Sequence, residues 1–213
     1  MKDIPLFTTQ YGIASLILRE IPYRQEAYVR IQSSQQIREL VQECIGFCRA
    51  CGAEKIYATG HGDLVSYPLY TAVLKMQGNR KNLPNTDAML YPMIPELAEQ
   101  WRSIYNQRMA GVDNASYMTR KEAQELADKN EAYFVHRDGS LLGIGSACGG
   151  RIGALASVVP GSGRDVALAL MSVLTEDMAE LEVASTNEKA LRLYKSLGFV
   201  TVSEQTRWYR IFG

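Results

Sequence analysis

Between residues 154 and 213 the hydrophobic period switches back and forth between that of a strand and that of a helix. ALASVVP reads as extended, DVALALMSVL as a buried helix, AELEVAS as a strand, and NEKALRLYKSLG as an amphipathic helix. FVTVSEQTRWYRIF then reads as a closing pair of strands. Two strands joined through a helix pair most readily in parallel, because a parallel connection needs a long crossover. A mixed α/β architecture follows, with parallel pairing around the two late helices. Asn187 stands where a helix N-cap belongs and Gly198 where a left-handed C-terminal residue belongs.

The segment before this run extends the pattern upstream. AMLYPMI predicts a strand, and PELAEQWRSIYNQRMA a helix with Pro95 in its first turn. Thr119 and Glu122 form a capping-box pattern that opens TRKEAQELADKN. AYFVHRDG and SLLGIGSACGG flank Asp138-Gly139, a strong hairpin signal, and RIGALASVVP follows as a strand. After residue 85 the expected order is therefore β-α-α-β-β-β-α-β-α-β-β.

The first part of the chain reads differently. Residues 13–31 predict two short strands broken near Pro22. QIRELVQECIGFCRAC predicts a helix stopped by Gly52. AEKIYATG predicts a strand, and SYPLYTAVLKM a helix. Residues 77–87, QGNRKNLPNTD, are polar and rich in turn formers. They divide the chain into an N-terminal α/β subdomain, 1–84, and a second domain, 85–213.

Charge and cysteine usage narrow the function classes. Lys plus Arg equals Asp plus Glu at 23 each, which gives no electrostatic footprint for nucleic acid. No apolar run is long enough to span a membrane. MKDIPLFTTQ lacks a signal-peptide core, so a cytoplasmic protein with reduced cysteines is expected. Cys44, Cys48 and Cys51 have the spacing of a radical-SAM cluster motif, but at i, i+4 and i+7 they share one face of a helical pattern. Core packing is the favoured reading, and no metal is expected. His136 reads as a surface or edge residue and Cys148 as a packing residue.

Within LEVASTNEKALRLYKSLGF, residues Asn187, Ala190, Leu193, Tyr194, Leu197, Gly198 and Phe199 resemble the GNAT superfamily of N-acetyltransferases. The resemblance spans residues 86–213. It implies a mixed, mostly antiparallel sheet flanked by helices. It also implies a CoA-dependent N-acyltransferase that moves an acetyl group from acetyl-CoA to a small-molecule or peptide amine. A homodimer is among the assemblies it allows. Strand backbone near Ser157, Val158 and Val159 would hold the thioester arm. Amides of Gly161, Ser162, Gly163, Arg164, Asp165, Val166 and Ala167 would hold the pyrophosphate, as helix N-termini hold anions. This loop departs from the family pattern: Ser162 stands for Arg or Gln, and Asp165 for the first Gly. Asp165 adds negative charge where phosphate would sit, with Arg164 as an offset. Asn187 would contact the pantetheine arm, Tyr194 would assist the leaving thiolate, and Glu182 is the nearest candidate base. The degraded loop keeps open a non-catalytic module that binds CoA or a partner. AEKIYATGHGDL also echoes AELEVASTNEKA, which leaves open a degenerate half-domain within residues 1–84.

Overall fold

The computed structural model describes residues 1–213 apart from the side chain of Asn82. The chain divides into two compact units, Met1–Ala72 with Gln205–Gly213, and Val73–Glu204. The polar segment 77–87 is therefore not where the division falls. Its first residues lie in a strand, and Arg80 donates its amide to the Asp177 carbonyl at 3.0 Å.

The first unit begins with β1 (Ile4–Thr9) and β2 (Gly12–Ile17), an antiparallel pair. A single helical turn, α1 (Ile21–Arg24), has Pro22 at its start and leads into β3 (Glu26–Ser34). Helix α2 (Ile37–Ala50) then crosses over to β4 (Lys55–Thr59). β3 and β4 are parallel and pair without interruption from Glu26–Lys55 to Arg30–Thr59. Leu40, Val41, Cys44, Ile45 and Cys48 make the buried stripe of α2, packed with Leu16, Val29 and Ile56. The cysteine spacing is thus that of a helix face in a core. Burial pushes both the Cys44 and Cys48 thiols up to about 12, so they stay protonated at neutral pH.

SYPLYTAVLKM, expected as a helix, is instead the start of strand β5 (Leu69–Asn79). Apolar residues at 69, 72, 73 and 76 imitate helical spacing. The strand's polar residues Thr71, Lys75, Gln77 and Asn79 nevertheless all fall on one face, the period of a strand, which the helical imitation masks. From Val73 to Asn79 it pairs antiparallel with a later strand, β10 (Met178–Ala184).

The second unit continues through β6 (Met89–Pro92), α3 (Ala98–Met109) and α4 (Arg120–Asp128). Thr119 and Glu122 form the full reciprocal capping box at the start of α4. β7 (Ala132–Arg137), β8 (Ser140–Cys148) and β9 (Arg151–Ser157) are antiparallel, and β6 pairs with β7. Asp138 and Gly139, both at positive φ (51° and 76°), make the tight turn between β7 and β8. Helix α5 (Gly163–Ser172) crosses from β9 to β10, and α6 (Glu188–Ser196) follows β10. Within this unit the strand order is β5-β10-β9-β8-β7-β6. The closing pair of strands expected at the C-terminus is one continuous strand, β11 (Val200–Phe212). Ser203-Glu204-Gln205 carries no Gly, Pro or Asn to reverse the chain.

Helices cover both faces of this second sheet. Trp101 of α3 and Ala123 and Ala127 of α4 pack with Phe134, Ile144 and Ala156 on one face. Val166, Leu170, Tyr194 and Leu197 of α5 and α6 pack with Val135, Ile152, Leu181 and Val183 on the other. Glycines in β8 let α5 approach closely: a Cβ at Gly145 would lie 2.3 Å from Leu170 Cδ1 and 2.8 Å from the Ala154 carbonyl.

Candidate active site

β9 and β10 run parallel but share only one described pair, Arg151 opposite Glu180. The cause lies in β9. Its register on β8 slips between Ile152 and Ala154, which leaves Gly153 as an extra, bulged residue. A bulge sharpens local twist and bends its strand. Gly153 fits there because a Cβ would come within 2.7 Å of Ser146 Oγ. Beyond Arg151, β9 turns away from β10 and the two strands open into a wedge. β3 and β4, joined by the same kind of crossover in the first unit, stay closed along five pairs.

A cavity of about 430 Å³ occupies the wedge. Its lining draws on both helical layers. Tyr105 and Met109 come from the α3 face, and Ala190, Leu193 and Tyr194 from the α6 face. Because these layers lie on opposite sides of the sheet, the cavity passes through it. Tyr105 is held by stacking on buried Trp101 at 5.6 Å, and Trp101 in turn donates Nε1–H to the Tyr133 carbonyl at 3.1 Å. The segment Val112–Ser116 closes one side of the cavity. Just beyond it, Met118 is clamped by Asn106, whose amide both donates to the Met118 carbonyl (3.0 Å) and accepts from its N–H (2.8 Å).

Three residues singled out from sequence line this cavity. Asn187 caps α6, its Oδ1 accepting from the Ala190 amide at 3.1 Å. Tyr194, 7% exposed, comes from the buried stripe of α6, and burial pushes its phenol up to about 12. Glu182 lies on β10 between Leu181 and Val183, whose side chains point into the α5–α6 layer, so its carboxylate faces the α3 side. There Arg151 Nη2 pairs with it at 3.2 Å.

The remaining predicted residues form the loop from β9 into α5. Ser157 ends β9 opposite Gly143. The Val158 amide donates to the Leu142 carbonyl at 2.9 Å, and the Val158 carbonyl accepts from Arg108 at 2.8 Å. Val159 is exposed, and Gly161 takes φ 89°, a left-handed value that favours glycine. Ser162 is turned inward: its hydroxyl donates to the carbonyls of Leu142 (2.8 Å) and Val159 (2.9 Å). The Leu142 carbonyl that holds this loop lies just past the last β8–β9 pair, Gly143 with Ser157. Gly163 packs near Leu193, 3.4 Å from the position a Cβ would take. Val166 and Ala167 are fully buried, and the Val166 amide is committed to the Ser162 carbonyl at 3.0 Å. First-turn amides at Gly163, Arg164 and Asp165 have no intrahelical acceptor. Asp165 does not cap the helix; it pairs with Arg137 Nη1 of β7 at 3.3 Å.

Sequence reading did not find Tyr105, Arg151 or Arg137. Tyr105 had a signal, since it lies four residues from Trp101 on the same helix face. Arg151 reaches its partner on a neighbouring strand and Arg137 its partner on α5, pairings that no local pattern encodes. Cys148, expected to pack, is exposed at the end of β8.

This architecture, a largely antiparallel sheet with helices on both faces and two parallel strands that splay, is the GNAT fold. Solved structures show the same arrangement at low identity. A GCN5-related N-acetyltransferase from Sphaerobacter thermophilus is 13% identical, with a TM-score of 0.59 over 93% of this chain and 75% of its own. Eis1 from Mycobacterium abscessus is 12% identical, with a TM-score of 0.55 over 96% of this chain and 63% of its own. A functionally unknown conserved protein from Staphylococcus epidermidis gives 0.54 at 10% identity, over 96% and 91%. No family model and no curated protein sequence matches the chain.

Proposed function

We propose that the protein is a CoA-dependent N-acyltransferase that transfers an acetyl group from acetyl-CoA to a small-molecule or peptide amine. The observation that carries this reading is the wedge between β9 and β10, with a cavity that reaches both faces of the sheet. A thioester arm can lie along the open edge of β9, its carbonyl and amides pairing with backbone that β10 leaves free. An amine can enter from the α3 face, where Tyr105, Met109 and Val112 give apolar walls. Donor and acceptor then meet inside the sheet, and the gain is that of fixed proximity.

In the reaction the amine lone pair attacks the thioester carbonyl. The C–N bond forms, the C–S bond breaks, and sulfur leaves with the electron pair. The amine loses one proton, and the thiolate takes one up. Tyr194 is the donor on the α6 side that stabilises the departing thiolate. Glu182 is the carboxylate on the acceptor side, where its charge would draw a cationic amine inward, with part of that charge offset by Arg151 at 3.2 Å. The pyrophosphate lies at the first turn of α5, and Asn187 fixes the start of α6 beside the pantetheine arm. No metal has a part in this reading, and its setting is the cytoplasm.

The inward turn of Ser162 favours a second reading, a module that binds CoA without chemistry, because the loop offers no cation of its own at that position. Calorimetry with acetyl-CoA, followed by thiol release with a panel of amines, separates the two. Heat with thiol release supports the enzyme, and heat without thiol release supports the module. Absence of heat at millimolar acetyl-CoA removes both.

A further inference from the structure

Two departures of the α5 loop from the usual pattern have one structural explanation. Ser162, where a cationic or amide side chain is expected, is buried and tied to Leu142 and Val159. Asp165, where a glycine is expected, reaches out to Arg137 at the end of β7, Nη1 to Oδ2 at 3.3 Å. Arg137 also meets Asp87 at 3.4 Å, and Asp138 adjoins it in the β7–β8 turn. Its side chain is 36% exposed and the Asp87 side chain 74%, so that second pair is a weak, solvated one. Nη1 of the arginine is thus shared between Asp165 on the helix side and Asp87 on the solvent side.

The position matters because of Leu193. It lines the cavity, and it sits 3.4 Å from where a Cβ at Gly163 would be. A ligand arm leaving the cavity past α6 therefore arrives at the first turn of α5. Arg164 flanks that turn on the α6 side, with Nη1 3.5 Å from Ser196 Oγ. Arg137 flanks it on the β7 side.

We propose that Arg137 is a phosphate-binding residue for the CoA donor, supplied from β7 in place of the cation missing at position 162, with Asp165 as the acid that holds it beside α5. The inference rests on the acyltransferase reading. Both acids meet Arg137 at the same nitrogen, Nη1, which leaves the Nη2 and Nε edge of its five-donor fork to receive a phosphate while Asp165 stays in place. A phosphate carries more charge than a carboxylate and accepts two parallel bonds.

The test compares acetyl-CoA with S-acetylpantetheine, which has the same thioester arm and no phosphate, by calorimetry on the full chain. Arg137→Gln is expected to weaken acetyl-CoA binding ~10- to 100-fold, the usual loss for a charged hydrogen-bonded contact, and to leave S-acetylpantetheine within about twofold. Arg137→Lys should recover part of the loss. An equal loss for both ligands would make Arg137 a structural residue and overturn the proposal, as would no loss for either. Should Arg137→Gln fail to fold, Asp165→Asn in the native background carries the same comparison, with a smaller selective loss for acetyl-CoA expected. If the native protein binds the two ligands equally, the phosphate site falls while the acyltransferase reading stands. If it binds neither, both fall.

Discussion

Replacement of Tyr194 by Phe tests the mechanism most sharply, because the structure sets the size of the effect. Burial lifts the Tyr194 phenol to about 12. An ordinary thiol has a pKa of ~8.5, so full proton transfer from this phenol to a leaving thiolate runs uphill by ~3.5 units, or about 5 kcal/mol. On the proposed acyltransferase reading, Tyr194 would then act as a hydrogen-bond donor and not as a full acid. A hydrogen bond to a charged group contributes about 1.5–3 kcal/mol, so Tyr194→Phe should slow acyl transfer ~10- to 150-fold. Acetyl-CoA affinity should hold within about twofold, because the ring and its packing on Phe199 remain. The pH response adds a second reading. The folded pKa lies above the unfolded value near 10, so the contribution to stability is complete below pH 10 and lost as pH rises through 12. A shift of two units corresponds to about 3 kcal/mol. Denaturant unfolding at pH 9 and pH 12 should show a smaller loss in Tyr194→Phe than in the native protein, the remainder coming from Tyr28, Cys44 and Cys48, which burial shifts the same way. Stopped-flow or steady-state thiol release with one competent amine measures the rate. An unchanged rate would remove Tyr194 from the chemistry, and a drop of several kcal/mol in stability at pH 7 would give its hydroxyl a structural partner instead.

Other predictions concern the supports of the site. Glu182→Gln should raise KM for a cationic amine several-fold while leaving acetyl-CoA affinity unchanged by calorimetry; a change confined to acetyl-CoA would contradict the side of the sheet assigned to it. Gly145→Ala should destabilise the fold by about 1–3 kcal/mol in urea, since its Cβ would meet both Leu170 and the Ala154 carbonyl, and an unaltered midpoint would refute the close approach. In a native thiol titration Cys148 should react promptly and Cys44 and Cys48 only on unfolding; early reaction of all three would show that the α2 stripe opens.

Much of the second unit was legible because its punctuation is local. Asn187, Gly198, the Thr119–Glu122 box and the Asp138-Gly139 turn each act within a few residues, and each is found in its expected geometry. The misread segments are those whose state is set from a distance. Leu69–Met76 carries helical spacing and becomes a strand because β10 pairs along it. Val200–Phe212 reads as two strands and is one. The wedge itself depends on a bulge at Gly153, and a lone glycine in a small-residue strand announces no particular kink. Arg137 and Asp165 carry opposite charges, but only the fold brings β7 beside α5.

The end of β11 pairs with β4 through Tyr209–Ala58, Arg210–Tyr57 and Phe212–Ile56, and residues 205–213 belong to the unit that begins at Met1. Synthesis from the N-terminus therefore delivers the pieces out of order. Residues 73–204 can complete their own sheet while the chain is still emerging, but the earlier-made unit waits for its fifth strand until residue 212 has left the ribosome. A nascent chain stalled before residue 205 would expose the unpaired edge of β4 to neighbouring strands. A trimmed C-terminus would likewise harm the half of the protein that was made first.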